Sequence, residues 1–187
     1  MMITEAFKAI SSCLNEAGIP YMIVGGQAVA RYGENRFTED IDITLALIPD
    51  EIEKIVSSLL SCGFSPIPED YPSFVNKTWV LPVEHNETRA RVDLIFSILP
   101  FERSAIDNAV EMSIDGVPVK FINAENLVIQ KIFSGRPRDI EDAKGILRLN
   151  KGRIDLNNIR DTIESLSREL ADSSLLDRLS DLMEFTD

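Results

Sequence analysis

The 187-residue sequence predicts an α/β core over residues 1–122 and a helical region over residues 123–187 packed on it. Three observations carry this. Before about residue 122, short β-forming runs alternate with stretches whose apolar residues recur at three-and-four spacing. Ile114-Asp115-Gly116-Val117 reads as a two-residue hairpin turn, because Asp-Gly accepts the positive φ angles that such a turn demands. From Asn123 onward the apolar spacing is helical throughout.

The first helix runs from Thr4 to Ala17, with Ala6, Phe7, Ile10, Cys13, Leu14 and Ala17 on one stripe and Gly18 as its stop. Tyr21–Val24 is a short strand, Gly25-Gly26 follows it directly, and Gln27–Tyr32 is a short helix. Asp40–Leu45 alternates polar and apolar residues, the period of a half-buried strand, which puts Asp40 and Asp42 on one face. Asp50–Leu60 reads as a helix capped by Asp50 with Glu53 three residues on, and Gly63 closes it. Lys77–Val83 and Arg89–Ser97 read as strands, with the polar stretch Glu84–Thr88 as a loop between them. Four helices follow, at 123–133, 139–149, 155–170 and 173 to the end.

Composition narrows the function. Apolar residues make up 44% and charged residues 27%, the balance of a globular domain. No run reaches the roughly 18 to 20 apolar residues of a membrane span, and the first residues lack the pattern of a signal peptide, so a cytoplasmic location is expected. Acidic residues outnumber basic ones 31 to 19, for a formal charge of -12, which disfavours non-specific binding to nucleic acid and suits a site that collects divalent cations. Cys13 and Cys62 lack any zinc-ligand spacing and read as small apolar residues. His85 has no partner cluster, and Trp79 and the phenylalanines read as core. Hydrolysis by a Ser/His/Asp or cysteine site therefore has no support.

The candidate chemistry lies in Asp40, Asp42 and Asp93. Two residues apart on a strand, Asp40 and Asp42 stand roughly 6 to 7 Å apart at Cα, close enough to share one or two metal ions. Asp93 lies opposite Val92, Leu94 and Phe96 on a second strand, where a carboxylate without a partner would be costly. Mg²⁺ prefers such oxygen ligands. Gly25 and Gly26, between a strand and a helix, let backbone N–H groups approach a phosphate at the positive end of the helix. Arg36 and Thr38 stand just before the acidic strand as further candidate contacts to a triphosphate.

Val24-Gly25-Gly26, thirteen intervening residues, then Asp40-Ile41-Asp42-Ile43 and a later Asp93 together resemble the nucleotidyltransferase superfamily that includes DNA polymerase beta and the minimal nucleotidyltransferases. With Lys131 and Arg136-Pro-Arg-Asp-Ile-Glu-Asp142 downstream, the chain looks like the toxin-type or stand-alone branch. The resemblance implies a mixed β-sheet flanked by helices, with a C-terminal helical region. It implies a transferase that moves a nucleoside monophosphate from ATP or another nucleoside triphosphate to a hydroxyl, with Mg²⁺ or Mn²⁺ as cofactor. Asp40, Asp42 and Asp93 would be the catalytic metal ligands, and Gly25, Gly26, Arg36, Thr38 and Lys131 the nucleotide contacts. The acceptor is left open among a tRNA end, a protein and a small molecule such as an aminoglycoside, and an antitoxin partner is implied if the chain is a toxin. The alternative is a non-catalytic module that binds a nucleotide or a partner on the same fold.

Lys131 borders an apolar helical stripe, so snorkelling competes there with a triphosphate contact. Asp139 and Asp142 read as helix-capping residues, with support of the active site as the other reading. Arg138-Asp139 stands where stand-alone relatives often carry Lys-Asp, and Gln27 where several carry a small or hydroxyl residue.

Overall fold

The computed structural model describes residues 2–33, Thr38, 40–97 and 99–186. Its elements in chain order are α1 (Met2–Glu16), β1 (Tyr21–Ile23), α2 (Gly25–Tyr32), β2 (Ile41–Leu45), α3 (Ile52–Ser61), β3 (Phe64–Pro66), α4 (Tyr71–Thr78), β4 (Val80–His85) and β5 (Arg91–Phe96). They continue with α5 (Pro100–Asp107), β6 (Val110–Ile114), β7 (Val117–Phe121), α6 (Ala124–Ser134), α7 (Pro137–Leu149), α8 (Leu156–Leu170) and α9 (Ser174–Thr186). They form two compact units, one of Met1–Gln27 with Phe37–Ile122 and one of Ala28–Arg36 with Asn123–Asp187. Helix α2 therefore contributes its first turn to one unit and the rest to the other. No described helix is long and apolar enough to cross a membrane.

In the first unit the described strands form one sheet of seven, in the order β3-β4-β5-β2-β1-β7-β6. The sheet is mixed: β2 with β5 and β1 with β7 pair parallel, and the other neighbours pair antiparallel. Alternation places the core. Ile41, Ile43 and Leu45 of β2 and Val92, Leu94 and Phe96 of β5 are fully buried, while Asp42, Asp93 and Ile95 are half-buried on the opposite face. Helix α1 packs on β7 and α3, and α5 packs on β1 and β2. At the β6–β7 turn, Asp115 and Gly116 have φ angles of 48° and 87°, as the two-residue hairpin demands.

Three local readings of the sequence are corrected and two elements are added. Asp50 does not cap α3: it lies in a 3-10 turn, Pro49–Glu51, where the Glu51 carboxylate accepts from the Ile48 N–H at 3.1 Å, and α3 follows from Glu51 without a side-chain cap. Lys77 and Thr78 belong to α4 rather than a strand. Asp70 accepts from the Ser73 N–H at 3.2 Å to start that helix, and Trp79, at φ 59°, ends it before β4 begins. Strand β3, at three residues, is too short to show a period, and helix α5, at eight, has no counterpart in the sequence reading. His85 is not in a loop. It is the last residue of β4, buried, its ring 4.8 Å from that of Phe64 and its Nδ1 2.8 Å from the Thr88 hydroxyl.

The second unit is helical. Helix α6 packs against α7, α8 and α9. The Asn123 side chain caps α6 by accepting from the Asn126 N–H at 2.8 Å, and Asp155 caps α8 from Asn157 and Asn158. Asn150 at the end of α7 donates to the Tyr32 carbonyl at 2.6 Å, which ties the end of α2 into this unit.

Candidate functional site

The site is built outward from β1 and β2. Their antiparallel pairing continues one residue past β1, where the Val24 N–H donates to the Asp42 carbonyl at 2.9 Å. The chain then turns into α2 through Gly25, at φ 62°. That angle disfavours any side chain, and a Cβ on Gly25 would lie 1.9 Å from Oδ2 and 2.9 Å from Cβ of Asp42, so the carboxylate or the turn would have to shift. The diglycine thus lets the N-terminus of α2 close onto the carboxylate strand. At Gly26 a Cβ would stand 2.8 Å from the Thr38 hydroxyl. Gln27 completes the turn by donating its amide to the Thr38 carbonyl at 3.1 Å. Its role is to tie the segment before β2 to the start of α2, a link that sequence reading missed because amide-to-carbonyl bonds leave no spacing signature.

Asp42 and Asp93 meet across the parallel β2–β5 pair. They are register partners, so their side chains leave neighbouring positions on the same sheet face. Asp40 lies one residue before β2 and is exposed. Arg36 lies outside the described residues.

Arg91 is the second residue that sequence reading missed, although its spacing of two from Asp93 on a strand puts both on one side. Its Nε donates to Oδ1 of Asp93 at 2.9 Å and its Nη2 to Oδ2 at 3.2 Å. Those hydrogen bonds, then the charge of Asp93, then those of Asp40 and Asp42, push the guanidinium above its ordinary value. Among the described residues, no three His, Cys, Asp or Glu side chains stand assembled as a metal cage. The chemistry of the donor set nonetheless fits a hard divalent cation: the oxygens are carboxylate, two of the groups are register neighbours, and a cationic guanidinium already sits in their field.

In the second unit, Lys131 is buried and does not snorkel. Its Nζ lies 2.5 Å from Oδ1 of Asp139 and 3.1 Å from Oδ2 of Asp142. Oδ2 of Asp139 also accepts from the Ser134 hydroxyl at 2.6 Å and from Arg136 Nε at 2.5 Å. Asp139 is therefore an ion-cluster residue rather than a helix cap; α7 is entered through Arg136 and Pro137 instead. Burial alone would raise the Asp139 carboxyl, but the hydrogen bonds from Lys131, Ser134 and Arg136 and the Lys131 charge pull it down to about 2.

Comparison with known proteins is consistent with this geometry. The model of a family described as "Nucleotidyl transferase of unknown function (DUF2204)" matches residues 72–181, a stretch that holds Arg91, Asp93 and Lys131. No curated protein matches the chain. Among solved structures, an antigenic nucleotidyltransferase-like protein from Paracoccidioides brasiliensis superposes with a TM-score of 0.57 at 19% identity, over 95% of this chain and 91% of that one. The antibiotic-resistance factor ANT(2'')-Ia gives 0.57 at 16% identity, over 91% of this chain and 94% of that one. The same factor in complex with adenylyl-2''-tobramycin gives 0.54 at 18% identity, over 96% and 98%. At these identities the likeness is one of fold.

Proposed function

This chain belongs to the nucleotidyl transferase family whose model it matches, and we propose that it moves a nucleoside monophosphate from a nucleoside triphosphate such as ATP to a hydroxyl of a small cationic acceptor. The observation that carries the reading is the Asp42–Asp93 register pair with Gly25 closed onto Asp42.

Bound by Asp40, Asp42 and Asp93, a Mg²⁺ or Mn²⁺ ion would supply neutralisation of the triphosphate and of the leaving pyrophosphate. The chain's own part is positioning. Gly25 and Gly26 leave the backbone N–H groups at the start of α2 open to phosphate oxygens. Gln27 and Thr38 hold the segment that approaches them. Asp93 accepts the proton of the attacking hydroxyl. Lys131, engaged by Asp139 and Asp142, is assigned to the stability of the second unit rather than to the triphosphate. Arg36 stays a candidate phosphate contact by its place just before Thr38.

Two arguments support a small cationic acceptor over a tRNA end or a protein. The formal charge of -12 attracts cations and repels a polyphosphate backbone. The fold match to ANT(2'')-Ia also runs nearly end to end, and that protein is known in complex with an adenylylated aminoglycoside.

The test incubates the protein with each α-labelled nucleoside triphosphate, Mg²⁺ or Mn²⁺, and separate pools of polyamine-like hydroxyl compounds, tRNA and protein. Label on the first pool that Asp42→Ala abolishes is the expected result. Label on tRNA or protein would move the acceptor, and no label with no nucleotide binding would sink the enzyme reading. Growth arrest on expression, lost in Asp42→Ala, would assign the same transfer to a toxin held in check by an antitoxin partner.

A further inference from the structure

Resting on the transferase reading of the Asp42–Asp93 pair, we propose that Arg91 is a resident counter-cation. It keeps the acid cluster closed to a bare divalent ion, so that the metal enters with the nucleotide rather than before it.

The grip is complete at one carboxylate: Arg91 Nε and Nη2 engage both oxygens of Asp93 as a fork. The side chains differ in depth. The Asp93 side chain is 21% exposed and that of Arg91 53%, so the carboxylate is the more buried partner of the pair. A bare cation must therefore take Asp93 oxygens that already have a partner, in the field of a like charge. The formal count points the same way. Asp40, Asp42 and Asp93 carry three negative charges, and Arg91 cancels one of them.

A nucleoside triphosphate changes the balance. Its phosphate oxygens offer the guanidinium the same planar recognition that Asp93 gives it, and the side chain is long and exposed enough to exchange one partner for the other. Asp93 is released as the metal arrives with its phosphates. Were Arg91 there only to orient Asp93, its removal would weaken metal binding. Under the counter-cation role, removal strengthens it.

The experiment titrates Mn²⁺ and reads the free ion by electron paramagnetic resonance. It uses wild type, Arg91→Met and Arg91→Lys, each with and without an α,β-methylene nucleoside triphosphate. Without nucleotide, Arg91→Met should bind Mn²⁺ about ten-fold tighter than wild type, the lower end of what hydrogen bonds to a charged group contribute. Arg91→Lys, a point charge without the fork, should fall between them. With nucleotide the three should converge. Equal or weaker nucleotide-free binding by Arg91→Met, with wild type still binding Mn²⁺ and nucleotide together, overturns the counter-cation role and leaves the transferase site standing. If Arg91→Met fails to fold, Arg91→Lys decides alone, and affinity no better than that of wild type overturns the role. No Mn²⁺ binding by wild type even with nucleotide overturns both readings.

Discussion

Replacing Lys131 by methionine keeps most of the apolar stem of the side chain and removes the ammonium with its charge and N–H donors, so it isolates the ion cluster of the second unit. The Lys131 and Asp139 side chains are 7% and 5% exposed, so water compensates little for the loss. An Asp139 carboxyl held from an ordinary 3.8 down to about 2 contributes about 2 kcal/mol at neutral pH. Removing the ammonium forfeits the largest part of that and leaves the buried Asp139 with only Ser134 and Arg136, so the total loss should be about 3 kcal/mol, the low end for a broken buried pair. The sign with pH follows. A depressed carboxyl stabilises the fold above its unfolded value and loses that contribution as pH falls toward 2. In Lys131→Met the carboxyl rises, so acid relieves the variant before it harms wild type, and the gap between them narrows from pH 7 to pH 4. Urea unfolding followed by circular dichroism at the two pH values measures it. A deficit under about 1 kcal/mol at pH 7, or a gap that widens in acid, would refute the ion-cluster account.

Gly25→Ala should abolish nucleotide transfer while sparing most of the fold. The new Cβ, at a φ of 62° and 1.9 Å from Asp42 Oδ2, must push either α2 or the carboxylate away, and activity assays beside a thermal melt will separate the two losses. Gln27→Ala should raise the KM for nucleotide several-fold at little cost in melting temperature, since it frees the Thr38 carbonyl without opening the core. Asn123→Ala should lower unfolding stability by about 1 kcal/mol through loss of the α6 cap and leave nucleotide binding unchanged.

What the sequence made legible is what repeats along it. Helices α6 to α9 follow from three-and-four spacing, and the Asp115-Gly116 hairpin follows from a dipeptide that suits its turn, whereas the Asn123 and Asp155 caps show only in the structure. Asp42 and Asp93 were legible as residues, yet only the β2–β5 register makes them neighbours. Strand β3 was hidden because its three residues take their conformation from pairing with β4. Lys77 and Thr78 misled because a β-branched and aromatic stretch begins there, while Asp70 and Pro72 start a helix six or so residues earlier. Gln27 escaped because it is defined by what it touches rather than by how it is spaced, Arg91 offered only its spacing of two from Asp93, and Lys131 and Asp139 were legible as residues but not as a pair.

The parallel pairing of β2 with β5 ties the site to the folding of the chain. Asp42 and Asp93 are separated by half a hundred residues that include α3, β3, α4 and β4, and a parallel pair forms only once such a crossover has closed. An unfolded or partly paired chain holds its carboxylates far apart, so a cation that binds both is a ligand of the native state alone. Its affinity then appears as a concentration-dependent rise in melting temperature. Saturating metal and nucleotide would slow unfolding of the central strands in particular, making hydrogen exchange at β2 and β5 a report on occupancy that needs no knowledge of the acceptor.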